Sequence, residues 1–66
     1  MKLSVNGETH IVDGADTLGS LLLLLNVSLQ NLVVELNGEV APPDKYDETQ
    51  IKDGDQLELV RLVGGG

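Results

Sequence analysis

Two Asn-Gly dipeptides set the strongest limit on what this chain can become. Asn6-Gly7 follows Met1-Lys-Leu-Ser-Val5, which alternates apolar and polar side chains, and precedes Glu8 to Val12. Alternation with period two marks a half-buried strand, and Asn-Gly favours a tight turn because both turn positions need positive φ. An N-terminal hairpin follows. Asn37-Gly38 closes a second apolar run, Leu32 to Leu36, and leads into a short returning strand at Glu39-Val40.

Between the hairpins lies one helical segment. Asp13-Gly-Ala-Asp16 is a loop, and either Asp16 or Thr17 supplies the N-cap acceptor that the next turn requires. Advancing about 100° per residue from Leu18 places Leu21, Leu22 and Leu25 on its face. Leu24 falls at the margin of that stripe and Leu23 points away. Asn26 suits the left-handed position that ends such a helix. Two to three turns is too short to persist without a sheet beneath it.

After the second hairpin, Pro42-Pro43 breaks the ladder pattern, and Tyr46 is the apolar anchor of an otherwise polar loop. Lys52-Asp-Gly-Asp55 reads as a turn. Gln56 to Val63 alternates again and forms the last strand. Strand, strand, helix, strand, short strand, strand is an α+β order, matching a β-grasp fold in which a mixed sheet wraps one helix.

Composition narrows the function classes. With 66 residues, the chain holds one domain, read as residues 1–63 with a flexible functional tail at 64–66. Leu, Val and Ile make up most of the 41% apolar content, enough for one core but leaving few side chains to line a catalytic cleft. Four basic residues against eleven acidic ones give a net charge of -7. Lys2, Lys45, Lys52 and Arg61 are scattered, so no nucleic-acid surface is expected. The carboxylates keep a small protein soluble and monomeric, and they also suit steering toward a basic partner face. There is no cysteine, hence no disulfide, thiolate metal site or cysteine nucleophile. Met1 opens directly into a strand pattern without a leader, and the Leu21 to Leu25 run is far below the roughly 18 residues of a membrane span. A cytoplasmic protein without membrane association is the expectation.

Other chemistry-bearing residues read as structure. Asp53 and Asp55 flank a glycine but lack the further ligands of a calcium loop. His10 has no second His or Cys with which to share a metal. Gly7, Gly14 and Gly19 lack phosphate-loop spacing. No metal or bound cofactor is expected.

The end of the sequence is more informative. The last strand runs directly into Gly64-Gly65-Gly66. Glycine lacks Cβ, so such a segment is slim and threads narrow channels. Extended, it carries the Gly66 carboxylate about 10 Å beyond Val63. On an arbitrary domain this would be a frayed end; on a β-grasp strand order it reads as a working tail. In the last strand Leu57 and Leu59 share one face, and Glu58, Val60 and Leu62 the other. With the first pair against the helix, Val60 and Leu62 become either a docking patch beside the tail or isolated surface aliphatics.

Val34-Glu-Leu-Asn-Gly-Glu-Val40, Lys52-Asp-Gly-Asp55, Leu57-Glu-Leu-Val60 and Val63-Gly-Gly-Gly66 together resemble the ThiS family, the ubiquitin-like sulfur carriers of thiamine biosynthesis. Members of that family often carry an Arg after the Pro that follows the third strand, and a Trp a few residues on. Here Pro43 and Tyr46 hold those places. The resemblance implies a carrier and not an enzyme. An activating adenylyltransferase of the ubiquitin-activating class would use ATP to adenylate Gly66. A sulfur-donor system would then convert the adenylate to a thiocarboxylate for thiazole synthase, with Gly64 and Gly65 threading the partner's channel. The small subunit of molybdopterin synthase shares this tail chemistry. A β-grasp interaction module and a protein modifier are the readings outside it.

Overall fold

Both Asn-Gly turns form as their residues dictate. Asn6 and Gly7 have φ of 52° and 82°, and Asn37 and Gly38 have φ of 52° and 87°, the paired left-handed conformations of a two-residue hairpin. The computed structural model describes residues 1–63. The first turn joins β1 (Lys2–Val5) to β2 (Glu8–Ile11), and the second joins β3 (Leu32–Leu36) to the short β4 (Glu39–Val40). Helix α1 (Leu18–Leu24) lies between the hairpins, a 3₁₀ turn spans Pro43–Lys45, and β5 (Gln56–Arg61) comes last.

The five strands form one sheet in the order β2-β1-β5-β3-β4. β5 runs parallel to β1, with Val5 beside Leu57, and antiparallel to β3, with Val33 opposite Val60. The last strand therefore occupies the centre of a mixed sheet, and one helix packs on one face. This is the α+β, ubiquitin-like β-grasp architecture expected from the element order.

Three strand ends fall inside the expected ones. β1 begins at Lys2, β2 ends at Ile11, and β5 stops at Arg61, not Val63. The limit of β5 is set by its partner: Arg61 pairs with Leu32, the first residue of β3. Val12 leaves the strand but is buried, and its N–H donates to Met1 O at 2.8 Å.

The N-cap of α1 is Thr17. Its Oγ1 accepts from Ser20 N at 3.2 Å while Ser20 Oγ accepts from Thr17 N at 3.1 Å, a capping box with Ser as the returning residue. The next orphan donors are met from the segment before β5, Leu18 N–H by Thr49 O and Gly19 N–H by Tyr46 O. At the other end Asn26 takes φ 58°, with Val27 N–H returning to Leu22 O and Asn26 N–H to Leu23 O. Those two bonds make a Schellman closure. Leu18, Leu21 and Leu22 are fully buried with Leu3, Val34 and Leu57, while Leu25 packs at the edge of that core. Leu23 is 82% exposed, as its helical phase requires. Tyr46 is buried beneath its loop, and burial pushes its phenol above the ordinary value.

Asp55 is the one buried charged residue among those described, at 3% exposure. Its carboxylate accepts from Lys52 N at 2.8 Å and from Asn37 Nδ2 at 3.0 Å. Asn37 Oδ1 in turn accepts from Gln56 N. The second hairpin turn, the Lys52–Asp55 turn and the start of β5 are thus one hydrogen-bonded unit. Asp55→Ala leaves two of its donors without an acceptor and is expected to cost about 1–3 kcal/mol. A urea titration followed by circular dichroism reads this; an unchanged midpoint would show the unit to be dispensable.

Candidate functional site

The end of β5 gathers the residues nearest the glycine segment. Along this strand the side chains alternate as expected. Leu57 is buried and Leu59 half-buried against the core, while Glu58 faces solvent and Val60 is 45% exposed. Leu62, one residue past the strand, is 57% exposed, and Val63 is 92% exposed. Sequence reasoning omitted the cross-strand partner: half-buried Val33 lies directly opposite Val60. Its parity against Leu32 and Val34, both inward and buried, was the available signal. Val33 and Val60 form an apolar pair on the outer face. Two pairs further along, on the same face, Glu35 stands opposite Glu58, so two carboxylates border it.

Two devices hold this strand end. On the β1 side, the ladder ends where β1 gives way to its turn, and the Asn6 side chain continues it. Asn6 Oδ1 accepts from Leu59 N at 2.7 Å and Nδ2 donates to Leu59 O at 3.4 Å, imitating one more strand residue. On the β3 side, Leu62 N–H donates to Asn31 O at 2.7 Å. Arg61 Nη1 donates to Ser28 O at 3.1 Å and to Gln30 O at 2.7 Å. Strand, turn and loop therefore fix the chain through Leu62. The expected tail residues Gly64, Gly65 and Gly66 lie outside the described residues.

The remaining candidates sit in structural roles. Asp53 Oδ1 accepts from Lys2 N, and Asp55 is committed as described above, so the Lys52–Asp55 segment is a turn into β5. His10 is half-buried on β2, the sheet's edge strand, opposite Leu3. Among the described residues no three His, Cys, Asp or Glu side chains are grouped to hold a metal ion. No helix of the described residues is long and apolar enough to cross a membrane. Leu23 lines an apolar groove with Leu22, Val27, Leu29 and Tyr46, between α1 and the 3₁₀ turn.

Comparisons with known proteins agree with this geometry. The crystal structure of the thiamine biosynthesis protein (ThiS) from Geobacter metallireducens matches with a TM-score of 0.86 and 43% identity, each chain covered in full. The sulfur carrier protein ThiS of Bacillus subtilis is 39% identical over 46 residues, which span 67% of this chain and 70% of that protein. The thiazole synthase of Paramagnetospirillum magneticum is 39% identical over all 66 residues, and the chain spans only 20% of its length. The profile of the ThiS family matches residues 3–66, taking in the hairpins, the helix, the central strand and the glycines that follow it. The chain belongs to the ThiS family.

Proposed function

We propose that this protein is a sulfur carrier of thiamine biosynthesis that acts in the cytoplasm through the carboxylate of Gly66. The supporting observation is the family match over residues 3–66, which includes the strand end and the glycines beyond it. An activating adenylyltransferase of the ubiquitin-activating class binds the carrier and ATP. A Gly66 carboxylate oxygen attacks the α-phosphorus, forming an acyl-adenylate and releasing pyrophosphate. A sulfide equivalent from a separate donor system then attacks the acyl carbon. The C–O bond to phosphate breaks, AMP leaves, and a thiocarboxylate remains.

Adenylation is needed because a carboxylate is a poor acyl donor to nucleophiles, whereas AMP is a good leaving group. The carrier supplies the acyl group and a rigid platform for it; beyond the Gly66 carboxylate, no side-chain base or nucleophile and no bound cofactor of its own enters these steps. ATP belongs to the activating enzyme. Thiazole synthase is the acceptor in this reading, supported by a thiazole synthase that contains a segment similar to this whole chain. That relationship favours it over the acceptor chemistry of the molybdopterin synthase small subunit, and over a protein modifier or an inert interaction module.

The reading predicts pyrophosphate exchange into ATP that depends on this chain when it is mixed with a ThiS-activating adenylyltransferase. Exchange no greater than that of the enzyme alone would reject it. Docking is assigned to Glu58, Val60 and Leu62 beside the tail. Val60→Asp is expected to raise the KM for carrier in this assay about tenfold, the scale of one lost apolar contact point. Its circular dichroism should be unchanged, because Val60 faces away from the core. An unaltered KM would remove Val60 from the interface.

A further inference from the structure

The hold on residues 61 and 62 is lopsided. On the β1 side of β5, the described bonds stop at Leu59, where Asn6 covers it. On the other side, two consecutive residues engage three carbonyls of the loop between α1 and β3: Arg61 takes Ser28 and Gln30, and Leu62 takes Asn31. The loop is shaped to present those oxygens, since Asn26 and Asn31 bracket it at φ 58° and 56°. A guanidinium suits this task. It is always charged and planar, and its charge-assisted bonds to carbonyl oxygens are stronger than neutral ones. Arg61 is nonetheless exposed and contributes nothing to the core. A long, entropically costly side chain pinning two loop carbonyls needs a reason other than burial.

We propose that Arg61 is a positioning residue for the terminal carboxylate. By pinning the strand end to the 28–31 loop, it fixes where the chain leaves the domain and in which direction. This inference rests on the carrier reading above. From Leu62 to Gly66 is four residues, a reach of about 13 Å. Arg61 stays paired with Leu32 through its backbone when its side chain is removed, so the release falls on Leu62 and adds one residue to that reach. Length alone then lowers the effective concentration of the carboxylate at a fixed target by only about 1.4-fold. Loss of a set direction adds to this, because reaction requires the carboxylate within a narrow attack geometry.

The test compares the full chain with Arg61→Ala and Arg61→Lys. The ¹H–¹⁵N heteronuclear NOE at Leu62 and Val63 is read in the free protein, and adenylation kinetics are read with the activating enzyme. For Arg61→Ala the expected results are a lower NOE at Leu62 and a kcat reduced about fivefold to tenfold, with KM within about twofold of wild type. Arg61→Lys, which keeps the charge but loses the planar fork, should fall between the two in both readouts. An unchanged NOE would show that Arg61 does not pin the strand end. A raised KM with unchanged kcat would make Arg61 a direct partner contact and overturn the positioning role. If the wild-type chain is not adenylated at all, the carrier reading fails and the positioning role with it. The NOE comparison would still decide whether the pin exists.

Discussion

Deletion of Gly65 and Gly66 is expected to bring thiocarboxylate formation below detection while leaving the domain's unfolding midpoint unchanged. The truncated chain would end in a carboxylate on Gly64, two residues and about 7 Å short of its former reach. Misplacement of a reacting group by even 1 Å can cost about 10²-fold, so a shortfall of this size removes the reaction. Folding is insulated from the change. The last fully buried residue of β5 is Leu57, half-buried Leu59 is the last to pack on the core, and the final described ladder bond is made by Leu62. Thermal melts by circular dichroism and carrier charging assays on the same preparation separate the two effects. A truncated chain charged at the wild-type rate would move the chemistry away from Gly66. A lowered melting point would give the glycines a structural role.

Leu21→Ala should have the largest effect on the fold. Leu21 is fully buried at the contact between α1 and the sheet, among Leu3, Leu18, Val34 and Leu57. Large-to-small truncation at such a site costs about 2–5 kcal/mol, from lost transfer energy and from the cavity left behind. A 66-residue domain has a total stability of only roughly 3–10 kcal/mol. The variant is therefore expected to lose most of its stability and to populate unfolded chains at room temperature. Guanidinium titration followed at 222 nm provides the measurement, with Tyr46 emission as a second probe of the core. Leu23→Ala, at the exposed position two residues on, should cost under about 1 kcal/mol. Equal losses at both positions would contradict the helical phase on which the core assignment rests.

The contrast between these leucines shows where the sequence was legible. Five consecutive leucines carry no periodicity among themselves. The phase came from Leu18 upstream, and it separated Leu21 and Leu22 from Leu23 correctly. The strands were legible because alternation and Asn-Gly turns are local signals. Strand ends were less so, because β5 stops where β3 begins, which is a property of the partner. The capping box was half visible: Thr17 stood as one of two caps, but a Ser at the return position is a weaker sign than Glu or Gln.

The hydrogen bonds of Asn6, Asn37 and Asp55 were hidden for a different reason. Turn chemistry alone accounts for all three residue types. Only the sheet order, with β5 in the centre, shows that each side chain also secures a β5 backbone group or the turn before it. The same order brings Arg61 against Ser28 and Gln30, which lie 33 and 31 residues away in the chain. Among the candidate site residues, the outward parity of Glu58 and Val60 was readable from alternation, and Val33 opposite Val60 required the strand register. The role given to Gly66 came from the resemblance to the ThiS family and from the strand that leads to it.

The central claim is that Gly66 carries sulfur, and the direct measurement is thiol alkylation followed by intact-mass analysis and peptide mapping. The chain is incubated with ATP, a sulfur source and the activating enzyme. With no cysteine in the sequence, a thiol reagent finds a target only where sulfur has been added. Mapping the label is essential, since oxidation of Met1 adds an oxygen and nearly matches the mass gained when sulfur replaces oxygen. The account predicts one label, dependent on ATP, on the peptide that ends in Gly66. No label, from an activating enzyme that charges another ThiS protein in parallel, would contradict it.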